Sequence, residues 1–308
     1  FRYLCSVSSI ENHTQMPQRP DLLRLGLGII GIGTSGPLIA LSTMPVVVLI
    51  FWRNLGGALF TLPFAARALF SRDYKYRRAI ALSALSGVVL ALHFIGFFLA
   101  MRWTTVAAGT ALVALQPIFA ALFVKFLGGD IPSRAWLGMG IAFIGVIMIS
   151  GVDLSISWLA FKGDVAALIS AALAAIYMLL GSRVQKEIGT HSYTSICYFV
   201  CALTALPIAL LAGYELFEFE MREWLILLGL IGGAQILGHS MFNAALKRVS
   251  PAIVSLIVFF EVPVSTLLAM WWLDQTPSIA LIPGIIVILT GCILVVLRTR
   301  PTEAMTQQ

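Results

Sequence analysis

Charge is what this chain most lacks. Of its 308 residues only 11% are charged while 59% are hydrophobic, whereas a soluble domain carries about a quarter charged residues. So few charges cannot cover the surface of a soluble protein of this length, and the chain reads as an integral membrane protein. Cysteine and histidine are also sparse, at four residues each. Cys5, Cys197, Cys201 and Cys292 are scattered; Cys197 and Cys201 share one helical face without metal-ligand partners, which points to packing. Enzyme and nucleotide signatures are missing too. There is no G-x-x-x-x-G-K-[ST], which argues against an ATP-driven pump, and neither H-E-x-x-H nor G-x-S-x-G. GIGTSG (31–36) matches G-x-G-x-x-G, but it opens no helix after a strand and no acidic partner follows, so the dinucleotide reading is discarded. No catalytic residue, metal or cofactor is expected. The net charge of +6 lies in short breaks between apolar runs, a mark of membrane topology rather than nucleic-acid binding.

What is present is a series of apolar windows of about 20 residues, each long enough to cross the hydrocarbon core as a helix. Ten are read: 22–41, 45–69, 79–101, 104–126, 133–151, 164–183, 191–213, 223–246, 250–272 and 277–297. Pro45, Pro132, Pro251 and Pro277 fall at starts, where a missing N–H is harmless. Pro37, Pro117, Pro207, Pro263 and Pro283 fall inside, where they kink a helix and free a carbonyl. Sixteen lysines and arginines lie on the N-terminal side of the membrane and three (Arg102, Lys162, Arg222) on the other, with Arg53 inside a span. Both termini are therefore expected in the cytoplasm, and the expected location is a bacterial inner (plasma) membrane. Residues 1–21 are a tail, and the polar, irregular stretch 1–15 is a candidate for non-native sequence.

Two strings share a register. HFIGFFLAMRW (93–103) and HSMFNAALKRV (239–249) begin 146 residues apart. Each holds a histidine, an arginine nine residues on (Arg102, Arg248) and a proline fifteen further (Pro117, Pro263). FLGGDIPS (126–133) and WWLDQTPS (271–278) continue the match with one deletion. Five spans recur, and because five is odd the second copy enters the membrane upside down. The predicted fold is thus an all-α integral membrane protein, ten transmembrane helices in two inverted five-helix repeats. The first repeat is 22–151, a linker 152–163, the second repeat 164–297, and a tail 298–308. Inverted repeats are the signature of secondary transporters, whose substrate site lies near the midplane between the halves.

FWRNLGG (51–57), ALQPIFAALF, FEVPVSTLLA, the acidic residues Asp130 and Asp274, and the glycine-rich fifth and tenth spans together carry a resemblance. From about residue 22 to 297 the chain resembles the drug/metabolite transporter superfamily, in its ten-helix branch of two EamA-type repeats. It departs where that family commonly has Glu in place of Asp130 and Asp274. The resemblance implies a carrier working by alternating access around a central cavity, with export favoured.

Ionisable groups at membrane mid-depth cost on the order of 2.5–3.5 kcal/mol, so each needs a reason. Glu261 lies at the centre of span nine, where its counterpart in the first repeat is Leu115. It is read as facing a cavity, binding a cation or amine or carrying a proton; the alternative is a hydrogen-bonded structural carboxyl. Gly232, Gln235, His239 and Asn243 make a polar stripe on a 3.6-residue helix. His239 suits hydrogen bonding or proton exchange; interhelical hydrogen bonding is the alternative. His93, Gln116 and Tyr177 complete the expected lining, and Arg53 serves either an anionic group or a structural contact. Asp130 and Asp274 are expected to cap spans five and ten. The expected partners are the lipid bilayer and a small amphipathic substrate, amino-acid-like or drug-like, with protons as a candidate coupling ion; the sequence leaves oligomeric state open. The alternatives are an intramembrane enzyme using Glu261 and His239, an exchanger of phosphorylated or nucleotide-linked metabolites, and a channel.

Overall fold

The computed structural model describes residues 19–69, 74–128, 133–239, 241–242 and 258–298. Asn243, Arg248, Asp130, residues 1–15 and the tail after Arg298 lie outside the described residues. Every regular element among those described is helical: α1 (Arg19–Gly33), α2 (Ser35–Leu41), α3 (Val46–Leu69), α4 (Tyr74–Trp103), α5 (Val106–Val113) and α6 (Gln116–Phe126). Then come α7 (Ser133–Ile156), α8 (Trp158–Ile188), α9 (Thr190–Leu211), α10 (Met221–Gly229), a π-helical segment (Leu230–His239), α11 (Glu261–Leu273) and α12 (Leu281–Arg298). Eight stretches among the described residues are long and apolar enough to cross a bilayer, and Leu281–Leu294 is a shorter apolar helix.

Three spans break just ahead of a proline, whose ring forbids the regular bond to the carbonyl four residues back. The break before Pro37 is at Thr34, whose N–H and Oγ1 both donate to the Gly31 carbonyl (3.3 and 2.7 Å). Ahead of Pro117 it falls between α5 and α6, at Ala114–Leu115, and ahead of Pro263 it falls at Phe259–Phe260. Glu261 is thereby the first residue of a new helix.

Repeat mates run in opposite directions. On α7 and α12, Gly291 approaches Gly138 and Ala142, while Gly284 approaches Gly145 and Ile149. α3 and α9, the second span of each half, also pair antiparallel, Val47 and Val48 clustering with Ala209. α4 packs on α8 and α1 on the π-helical segment, so exchanging the halves maps the first pairing onto the second. This is the two-fold of an inverted repeat. The small residues of span one make its contact close: a methyl at Gly31 would lie 2.7 Å from both the Gly233 carbonyl and the Gly238 nitrogen. Gly31→Val should therefore wedge these backbones apart and destabilise by about 1–3 kcal/mol. Gly140→Val, with nothing within 4 Å of a methyl, should melt like the parent in the same detergent series.

Residues 152–163, between the repeats, are helical except at Ser157, whose hydroxyl accepts from the Ala160 N–H (3.0 Å) and caps α8. Asp153 in this stretch and Asp164 just after it are buried. Asp274 does not cap the start of span ten. It closes α11 in the left-handed conformation (φ 51°), its N–H donating to Ala269 O, a geometry a short acidic side chain tolerates. Pro277 consequently lies in the loop before α12, and Pro283 in that helix's first turn.

Candidate functional site

Arg53 is the central feature. Residues 46–63 of α3 form an apolar span, yet its one cation is only 1% exposed, and neither Nε nor Nη1 has a partner. The guanidinium carbon lies 4.5 Å from the centroid of Phe94 and 5.7 Å from that of Phe98, both on α4. A desolvated cation over an aromatic face gains about 2 kcal/mol, which offsets only part of the cost of burying it. Around it stand Tyr198 and Cys201 of α9 and Glu261 of α11, each within range of its charge. Glu261 makes no direct ion pair with it, and Arg53 is the charged group that acts on Glu261. The cluster thus draws on both repeats.

One turn along α3, Gly57 is filled by the amide of Gln235, so a methyl there would overlap that side chain. Gln235 is 3% exposed. It lies beside the Tyr198 hydroxyl, but neither amide atom completes a hydrogen bond. Four buried polar atoms, two on Arg53 and two on Gln235, are therefore left without partners, where buried polar groups are almost always satisfied.

The segment that carries the polar stripe is not wound with a 3.6-residue period. Leu230–His239 is π-helical, and its wider i→i+5 turn rotates Gly232 away from Gln235, three residues on, while residues four apart such as Gln235 and His239 stay near one face. Gly232 is exposed while Gln235 is buried. His239 closes the π-helical segment. His93 is held by α8: its Nδ1 meets the Ser170 carbonyl at 2.9 Å and the Ser170 Oγ at 2.8 Å, and Ser170 Oγ donates to His93 O at 3.0 Å. A carbonyl only accepts, so Nδ1 carries the proton and Nε2 stays open. Tyr177 stacks on Tyr193 (6.1 Å), and Tyr193, Cys197 and Cys201 line one face of α9 back to Arg53. Gln116 donates from Nε2 to Met178 Sδ at 3.3 Å, on α8 beside Tyr177 in sequence. Glu261, His93 and Tyr177 are each half-buried.

One end of the bundle is stitched together by side chains that the sequence did not single out. Glu223, on α10, accepts at Oε2 from Ser42 Oγ (2.7 Å), Thr43 N (3.0 Å) and Met44 N (3.4 Å), and at Oε1 from Arg222 (3.3 Å). Arg102 donates to the Met44 carbonyl, Trp52 Nε1 to Leu216 O (2.7 Å), and Val106 N to Gln275 Oε1 (3.0 Å). Glu223→Ala strips the loop of its acceptor and should cost about 1.5–3 kcal/mol, read as a lower melting midpoint. The only advance signal was a carboxylate next to the start of an apolar run.

The comparisons with known proteins now fit this geometry. The model of the EamA-like transporter family matches residues 22–151 and again 161–297. The chain belongs to that family. It is a membrane transporter rather than an enzyme, with a small-molecule substrate, and it carries two EamA repeats. The pseudopaline exporter CntI of Pseudomonas aeruginosa is 26% identical over 287 residues, covering 89% of this chain and 96% of the relative. A chloroplastic triose phosphate/phosphate translocator of Solanum tuberosum is 27% identical over 148 residues, covering 45% of this chain and 35% of the relative. A crystal structure titled only as that of a protein shares the fold, with a TM-score of 0.62 at 19% identity over 92% of this chain and 99% of the other.

Proposed function

We propose that this protein is a secondary transporter of a small zwitterionic, amino-acid-like metabolite, held between Arg53 and Glu261 and moved by alternating access. The observation that carries the reading is a buried guanidinium with two unpartnered nitrogens, within electrostatic range of a carboxylate it does not touch. A substrate carboxylate satisfies the first and a substrate ammonium the second. The unpartnered Gln235 amide supplies further hydrogen bonds, and Phe94 and Phe98 supply an apolar wall. Glu261, His93 and Tyr177 are half-buried, and on this reading their accessible surface faces the cavity between the repeats. On this reading His93 offers Nε2 as an acceptor, Tyr177 and Gln116 extend the lining, and His239 and Asn243 contribute from the second repeat.

Glu261 binds the substrate ammonium in one half-cycle and a proton in the other, which couples transport to a pH gradient. Both termini are cytoplasmic in a bacterial inner membrane, so the stitched end faces outward and is closed. A relative named as an exporter favours outward movement. Phosphorylated cargo fits poorly, since Arg53 is the one cation in the cluster among the described residues. Counterflow in proteoliposomes tests the reading: trapped unlabelled amino acids accelerate uptake of labelled ones, and trapped sugar phosphates do not. Acceleration by sugar phosphates alone would replace this reading with the exchanger.

A further inference from the structure

A second pair of acids lies away from Arg53, at the stitched end. Asp153, in the last turn of α7, is 1% exposed, and Asp164, in the second turn of α8, is wholly buried. They are within hydrogen-bond reach of each other, with Ser150 and Thr104 beside them. Thr104 sits in the hinge between α4 and α5 and gives its hydroxyl proton to Asp153 Oδ2. Both oxygens of Asp164 are left without a partner. The reason is chemical: two carboxylates offer each other only acceptors, so no bond exists between them until one brings a proton.

Among the described residues no cation relieves the pair. Arg102 of α4 points to the Met44 carbonyl, Lys162 of α8 lies over Trp158 at 5.9 Å, and Asp274 on the α11–α12 loop is exposed. α5 carries no ionisable group. The charge acting on Asp164 is that of Asp153. Two like charges in contact and away from water cannot both be ionised. Gly163 packs against Thr104 so tightly that a methyl there would lie 2.8 Å from the Thr104 nitrogen, so α4 and α8 respond together to any change in the pair.

We propose that Asp153 and Asp164 share one proton, and that its release to water at the stitched end forces α4, α7 and α8 apart there, making the pair a pH-sensitive latch separate from the substrate site. With the proton in place, one carboxyl donates to the other and the hinge is closed. Once the proton leaves, two carboxylates face each other and repel. The latch rests on the alternating-access reading; the shared proton does not.

The test is infrared spectroscopy of the purified protein in liposomes, in a Glu261→Gln background that removes the carboxyl of the proposed substrate site. Glu223, held by four donors, stays ionised and adds no band. At neutral pH the carbonyl stretch of a protonated carboxylic acid is expected, with loss of that band on further substitution by either Asp153→Asn or Asp164→Asn. Absence of the band in the Glu261→Gln protein, or its persistence in both asparagine variants, would overturn the shared proton. For the latch, Asp164→Asn with Glu261 intact keeps a permanent N–H donor in place, so the dependence of counterflow on stitched-face pH should flatten. An unchanged pH profile in that variant would overturn the latch. If no counterflow occurs even in the parent but the band behaves as expected, the transport reading fails and the proton pair stands.

Discussion

Arg53→Met is expected to abolish transport of a zwitterion while leaving the protein at least as stable as the parent. The two halves of this expectation have one cause. Arg53 is buried with two nitrogens unsatisfied, so the resting protein carries a desolvation cost that no ion pair returns. Replacing a buried ion pair with apolar side chains is often neutral or stabilising, by as much as about 1–4 kcal/mol, the loss on removing one charge coming from the partner left behind. Among the described residues Arg53 has no direct ion-pair partner to leave. The bound state differs. Removing one partner of a buried, hydrogen-bonded charge pair costs about 2–5 kcal/mol, on the order of 30-fold or more in affinity. Substrate counterflow and melting midpoint should therefore move in opposite directions. A structural arginine would make them fall together.

Glu261→Gln is expected to uncouple transport from the proton gradient. Glutamine keeps the size and hydrogen-bonding shape of the side chain but neither binds nor releases a proton near neutral pH. If one carboxylate serves the substrate ammonium and the proton in turn, the variant loses gradient-driven accumulation entirely. Its residual exchange should also be flat with pH. The measurement is uptake into proteoliposomes with and without an imposed pH gradient. A variant that responds to the gradient as the parent does would remove Glu261 from the coupling.

The topology was legible because it rests on coarse properties. Apolar windows, the recurrence of His93 and Arg102 as His239 and Arg248, and prolines at matching positions depend on span length and backbone geometry. Arg53 and Glu261 were legible for a related reason: a charge inside an apolar run stands out without knowledge of its neighbours. The π-helical winding beneath Gly232 and Gln235 was not legible, because three glycines in LIGGAQILGH do not reveal which helix type packing will select. Asp153, Asp164 and Glu223 were hidden differently. Each lies near the end of an apolar run, where a charge is ordinarily exposed, and its burial depends on helices distant in sequence. Tyr198, between Arg53 and Gln235, looked like any other aromatic residue in a membrane helix.

The measurement that bears most directly on a zwitterion spanning Arg53 and Glu261 is a cycle pairing Arg53→Met with loss of the substrate's own carboxylate. Counterflow would be measured for an amino acid and its amide in the parent and in the variant. If Arg53 holds the carboxylate, amidation and Arg53→Met remove the same contact, so parent and variant should carry the amide at equal rates. An Arg53→Met protein that loses amide transport as steeply as amino-acid transport would contradict the account.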